Sequence, residues 1–231
     1  MNLGRVYLVL LFAFVAIVGE FGLMLAPSAA NARDKTFGGR TFDDWKVLAV
    51  NDLDPQTRTK AMSAIGVLGH NGHRAAAIEV LQRAIATESD ATVARAGYAA
   101  ILSFGDDSIA SIEAGLSAED VNKRSVALRA LSGFFCRKGS AENNAKLNTL
   151  PKRIIPQLLA LLQDPKVNLG DRVTATKTLE GVIRLRDPEE FAKNVLQALM
   201  QLAQSPDAEL ATEALRTIGR LGEHARPAVP L

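Results

Sequence analysis

The chain has 231 residues, 48% hydrophobic and 23% charged, with 17 Gly and 9 Pro, a globular balance that excludes collagen-like and disordered classes. A net charge of +2 leaves no large single-sign field, so no nucleic-acid partner is expected. The single cysteine, Cys136, excludes an internal disulfide and a Cys-based metal cage. It follows an apolar helical run (FFCRK) and is expected to be a semi-buried small hydrophobe.

In chain order, Arg5 precedes an apolar run of 13 residues, Val6 to Val18, and a small-residue stretch leads to Ala30-Asn31-Ala32. That is the layout of a secretory signal cleaved before Arg33. The alternative is a retained anchor over residues 6–26, long enough to span a bilayer but weakened by Glu20, Gly19 and Gly22. Either way the remainder is expected to be exported, to the periplasm or beyond, or tethered by its N-terminus. Membrane contact is expected only through residues 6–26.

Residues 33–53 read as a linker and capping helix. Gly38-Gly39 is a joint, Thr41 an N-cap with Asp44 as its capping-box acid, and Phe42, Trp45, Leu48 and Ala49 share one helix face. Trp45 is expected to cover the open end of the first helix pair.

From residue 54 the chain repeats itself. Ala61-Met62-Ser63-Ala64-Ile65 is matched at Gly97–Ile101, Ala127–Leu131, Ala175–Leu179 and Ala214–Ile218, at intervals of 36, 30, 48 and 39 residues. AMSAIGVLG (61–69) and ALRTIGRLG (214–222) share Ala, Ile, Gly, Leu and Gly in register. A small residue in mid-helix permits close helix approach, and the apolar residues three and four positions on fill the seam. Asp54-Pro55, Asp164-Pro165, Asp187-Pro188 and Ser205-Pro206 read as an N-cap followed by Pro at the first helical position, and the closing Gly as a left-handed C-cap.

Each such helix is followed by a second apolar stripe. The first comprises Ala77, Ile78, Leu81, Ala84 and Ile85. A shorter one holds Ile109, Ile112 and Leu116. Ile154, Ile155, Leu158, Leu159 and Leu162 form the third, and Phe191, Val195, Leu196, Leu199 and Leu202 the last. Helix pairs at this spacing, none able to bury its face alone, predict an all-α solenoid.

The pattern D-P-x-x-R-x-x-A-x-x-A-[IL]-G-x-[IL]-G over Asp54, Pro55, Arg58, Ala61, Ala64, Ile65, Gly66, Leu68 and Gly69 resembles HEAT repeats of the short bacterial kind. The resemblance covers about residues 42–231. It implies a right-handed solenoid of about five helix pairs over 54–231, and gives packing roles to Arg58 and to Arg124 and Arg172 in register with it. It also implies a concave face, lined by the second helices, that engages a protein or peptide. The polar sides of those helices carry Glu79, Gln82, Arg83, Gln157, Lys193, Gln197 and Gln201 as candidate contacts.

Departures from the pattern are specific. Gly97 stands where Ala is usual, and Arg137–Leu150 reads as a polar inserted loop. Thr174, Thr176 and Thr178 predict less regular packing in the fourth repeat. After Gly222 the second helix of the last pair is incomplete, so Leu215, Ile218 and Leu221 are expected to form an uncovered apolar flank, on a truncated product or, alternatively, as a docking end.

Little in the sequence points to catalysis. His70-Asn71-Gly72-His73 lacks the Glu of an H-E-x-x-H helix and reads as a solvated turn, with His224 at the matching point of the last repeat. No P-loop, Rossmann or nucleophile-elbow pattern occurs. The acidic pairs Asp106-Asp107, Glu119-Asp120 and Glu189-Glu190 fall at expected helix starts. The expectation is a non-catalytic scaffold with no cofactor. The alternatives are a bilin-lyase-like HEAT protein and a structural spacer in a larger envelope assembly.

Overall fold

A computed structural model divides the chain into two compact units, Met1–Lys35 and Thr36–Leu231. The structure describes residues 35–136, 149–185 and 192–228, without the side chains of 184, 185 and 192–194. The signal or anchor segment, most of the 137–150 insertion, Asp187-Pro188, Glu189-Glu190 and Phe191 lie outside the described residues.

The described part of the second unit is all-α, with ten α-helices: α1 Phe42–Asn51, α2 Pro55–Leu68, α3 Arg74–Thr87, α4 Ala91–Leu102, α5 Ile109–Leu116, α6 Val121–Phe135, α7 Leu150–Gln163, α8 Leu169–Leu185, α9 Ala192–Leu202 and α10 Ala208–Arg220. The short helical turns 69–73, 105–108 and 222–228 join or extend them.

The starts of these helices follow from capping chemistry. The Thr41 hydroxyl accepts from the Asp44 N–H while the Asp44 carboxylate takes the Thr41 N–H, a complete capping box on α1. Asp54 accepts from the N–H groups of Gln56 and Thr57 with Pro55 behind it, and these bonds hold its carboxyl below the usual range. Asp90, Asp120 and Asp207 cap α4, α6 and α10 without a following proline. Asp164-Pro165 and Ser205-Pro206 do not open helices. Asp164 ends α7 and turns onto the Lys166 N–H, and the cap of α8 is Asn168, which exchanges hydrogen bonds with Asp171. Asp207, not Ser205, caps α10.

The helices form two layers. In the first, α1, α2, α4, α6, α8 and α10 pack successively side by side. In the second, α5, α7 and α9 follow one another, whereas α3 and α5 scarcely touch. Between the layers lies one continuous core, including Met62, Ile65, Leu68, Leu81, Ile101, Leu128, Leu158, Leu179 and Leu199. Each such side chain contributes about 1.5–3 kcal/mol through burial. The predicted helix-helix seam residues Ala61, Ala127, Ala175 and Ala214 are all 0% exposed, as close approach requires.

Polar bridges act within the first helix pair and between each pair and the next. Arg58 makes a two-pronged ion pair with Glu88 at 2.8 and 2.9 Å. Arg74 pairs with Asp107. Arg153 meets Glu113 at 2.7 and 2.8 Å. Ser125 donates to the buried Asp171, and Arg220 pairs with Glu180. Asp106 accepts the N–H groups of Thr149 and Leu150, capping α7 from a distant turn. The Asp106-Asp107 pair therefore works between helix pairs. Leu150, expected at the end of the inserted loop, is the first residue of α7.

Several expectations are corrected by packing. Gly69 is right-handed (φ −58°, ψ −43°), and its missing Cβ admits Phe104 and Ala77. The left-handed glycine of that turn is Gly72 (φ 125°). Gly222 does take the left-handed form (φ 57°) after α10. The His70–His73 turn packs its rings, His70 on Phe104 and His73 flat against Phe42 at 4.7 Å. Cys136 is exposed at the end of α6, its thiol donating to the Lys177 carbonyl. Thr176 and Thr178 are fully buried, each hydroxyl bonded back one turn to Arg172 or Thr174. Among the described residues no uncovered apolar flank forms at α10: Ile218 and Leu221 are buried, and only Leu215 of the three is exposed.

Candidate functional site

The break between α3 and α5 is a cleft of about 630 Å³. It arises from a length mismatch: α3 has 14 residues and α5 only 8. The C-terminal half of α3 supplies Gln82, Ile85 and Ala86. Its floor is Ala94 and Tyr98 of α4, and the far wall is Ala110, Ser111, Ala114 and Gly115 of α5 with Val126 of α6. The walls are thus mostly apolar and small.

Two side chains bridge α3 to its neighbours across this region. Gln82 donates to Ser111 Oγ at 3.0 Å, and Lys123 Nζ donates to the Ala86 carbonyl at 2.9 Å. The charged groups on the rim are engaged: Glu88 with Arg58, Asp120 with the N–H groups of Asn122 and Lys123. Burial alone would raise the Glu88 pKa, but hydrogen bonds from Arg58 and the Asp90 N–H outweigh it and hold the carboxyl below its usual value. Tyr98 is 6% exposed, and burial pushes its phenol above 10. Its hydroxyl stands where a Gly115 Cβ would lie within 2.5 Å, so only glycine leaves room for it.

The candidate contacts predicted from the sequence are not brought together. Gln82 alone reaches this cleft. Glu79 and Arg83 pair with each other at 2.8 Å, both about 70% exposed in their side chains. Gln157 is half-buried, with its Oε1 buried and unpartnered. Gln197 and Gln201 are exposed on α9, and the side chain of Lys193 lies outside the described residues. Arg58 and Arg124 each donate through Nη1 to the carbonyl six residues back, that of Asp52 and Ala118, whereas Arg172 donates through Nε to the Leu162 carbonyl of the preceding helix.

No family model matches the chain, and no curated protein does. Among the solved structures that are similar are two engineered proteins from a structural genomics consortium. One is 19% identical over 77% of this chain and 79% of that one, with TM-score 0.47. The other is 20% identical over 78% of this chain, which spans about half of that protein (48%), with TM-score 0.43.

Among the described residues, no group of three or more His, Cys, Asp or Glu is placed to hold a metal ion, and no helix is long and apolar enough to cross a membrane. The cleft was missed in the sequence because a gap between helices has no local pattern. The available signal was the short apolar stripe of α5 beside its run of Ala110, Ala114, Gly115 and Ala118.

Proposed function

We propose that the chain is a right-handed HEAT-type solenoid of about five helix pairs. In this reading it serves as a non-catalytic scaffold for a protein or peptide partner, and its N-terminal segment exports it or tethers it to a membrane. The observation that carries the scaffold reading is the outer side of the second layer. There Glu79 and Arg83 of α3 and Gln197 and Gln201 of α9 stand exposed on helices fixed by a common core. A surface held rigid in this way loses little freedom on binding, which favours contact distributed over several helices. The arginines at 58 and 124 support the repeat type, since each donates through Nη1 to the carbonyl six residues before it, at matching points of two helix pairs.

The test is site-specific photo-crosslinking in cells that make the chain. A benzophenone side chain at Arg83, Gln197 or Gln201 is expected to capture one common protein. The same group at the exposed first-layer positions Ser63 and Arg129 is expected to capture none. Equal capture from both layers, or none from the second, defeats the reading.

A further inference from the structure

We infer that the cleft between α3 and α5 binds a small, uncharged, mostly apolar molecule whose hydrogen-bond acceptor meets the Tyr98 hydroxyl. This site goes beyond the scaffold reading and does not depend on it. The volume of about 630 Å³ is that of a small-molecule pocket, and the walls of Ile85, Ala94, Ala110, Ala114 and Val126 offer apolar contact.

The polar inventory limits the ligand. A charged molecule would have to compete for rim groups that already hold hydrogen bonds within the protein: Lys123 with the Ala86 carbonyl, Glu88 with Arg58 and Asp120 with backbone N–H groups. It would also lose its hydration against alanine walls. Tyr98 is the exception. More than nine-tenths buried, it lines the cleft with its hydroxyl against Gly115 of the far wall, and no hydrogen bond joins that hydroxyl to a described group. A phenol that stays protonated is a donor, so the complementary ligand atom is an acceptor such as a carbonyl or ether oxygen. The Gln82–Ser111 bridge sets the extent of the cleft on one side; a longer ligand displaces it by rotating the exposed Gln82 away from the half-buried Ser111.

The chain has two tyrosines, Tyr7 and Tyr98, so the full chain labelled with 3-fluorotyrosine gives two ¹⁹F signals, and Tyr98→Phe assigns them. The probes are three matched fragment sets: neutral with one acceptor, the same shapes without it, and the corresponding carboxylates. Neutral acceptor fragments are expected to shift the Tyr98 signal saturably. The acceptor-free shapes, and the acceptor fragments against Tyr98→Phe read by saturation transfer, are expected to bind about fivefold more weakly. Ala114→Trp, on an exposed helix position, fills the cleft and is expected to abolish the shift while the thermal transition remains cooperative. If that variant does not fold, Ala110→Trp replaces it. The inference is overturned if no neutral fragment shifts Tyr98, if carboxylates or acceptor-free shapes bind equally well, or if the shift survives the filled cleft.

Discussion

Gly69→Ala tests whether the approach of α3 and the Phe104 ring to the end of α2 is set by a missing Cβ. Helix propensity favours the substitution by about 1 kcal/mol, because Gly69 already has right-handed helical angles. Packing opposes it. The new Cβ would lie 2.5 Å from Phe104 Cζ and 2.7 Å from Ala77 Cβ. Ala77 is 0% exposed, and its Cβ moves only with the α3 backbone. Phe104 is 2% exposed, its ring stacked by His70 and covered by the Arg74 guanidinium. Overpacking against such neighbours costs about 1–3 kcal/mol, more than the propensity gain over most of that range. The expected net loss is up to about 2 kcal/mol, or up to roughly 8 °C in Tm for a chain of this size. Gly219→Ala is the control: it lies within α10, is exposed, and its Cβ would meet nothing within 4 Å. It is expected to gain up to about 1 kcal/mol. Calorimetry and urea unfolding of both variants measure this. If Gly69→Ala is as stabilising as Gly219→Ala, the close-approach argument is refuted.

Glu88→Gln is expected to cost about 1–3 kcal/mol at pH 7 by loosening the charge-assisted pair with Arg58. The Glu88 carboxyl is held below its usual 4.5, so the pair's contribution is full above that value and is lost as pH falls through the folded-state value. Denaturation midpoints of parent and variant should converge in acid; parallel pH profiles would contradict the assignment. Asp106→Ala removes the cap from α7 and is expected to cost about 1 kcal/mol, seen as faster amide exchange at Thr149 and Leu150. Unchanged exchange there would show the cap to be dispensable. Mass spectrometry of the mature chain is expected to find Arg33 at the N-terminus, whereas a retained residue 1 would favour the anchor.

Local features were the ones legible in the sequence. The Thr41 box, the Asp54-Pro55 start, the buried alanines at 61, 127, 175 and 214, and the stripe Ala77-Leu81-Ala84-Ile85 all follow from capping or helical period, which neighbouring residues decide. Asp164-Pro165 misled because Asp followed by Pro serves a turn as well as a helix start, since proline presets the same φ for both. Gly69 and Gly222 share a motif, yet one admits a neighbour and the other turns the chain. That choice depends on Phe104 and Ala77, which lie 35 and 8 residues away in sequence. The cleft was illegible for the same reason: it depends on where α5 stops relative to α3. The exposed Gln197 and Gln201 were readable from their side of the stripe, whereas Gln157 was drawn inward by the packing around α7.

The turn at Asp106-Asp107 has a consequence for cooperativity. Asp107 holds Arg74 of the preceding helix pair, and Asp106 holds the start of α7 in the following one. One short turn is thus riveted in both directions. Stretches joined through side-by-side helix contact and single side-chain bridges can open one pair at a time. Around this rivet, opening the middle pair releases a grip on both neighbours. The described residues 74–135 and 150–163 should therefore exchange their slowest amides at a common rate, as a single block within the stack.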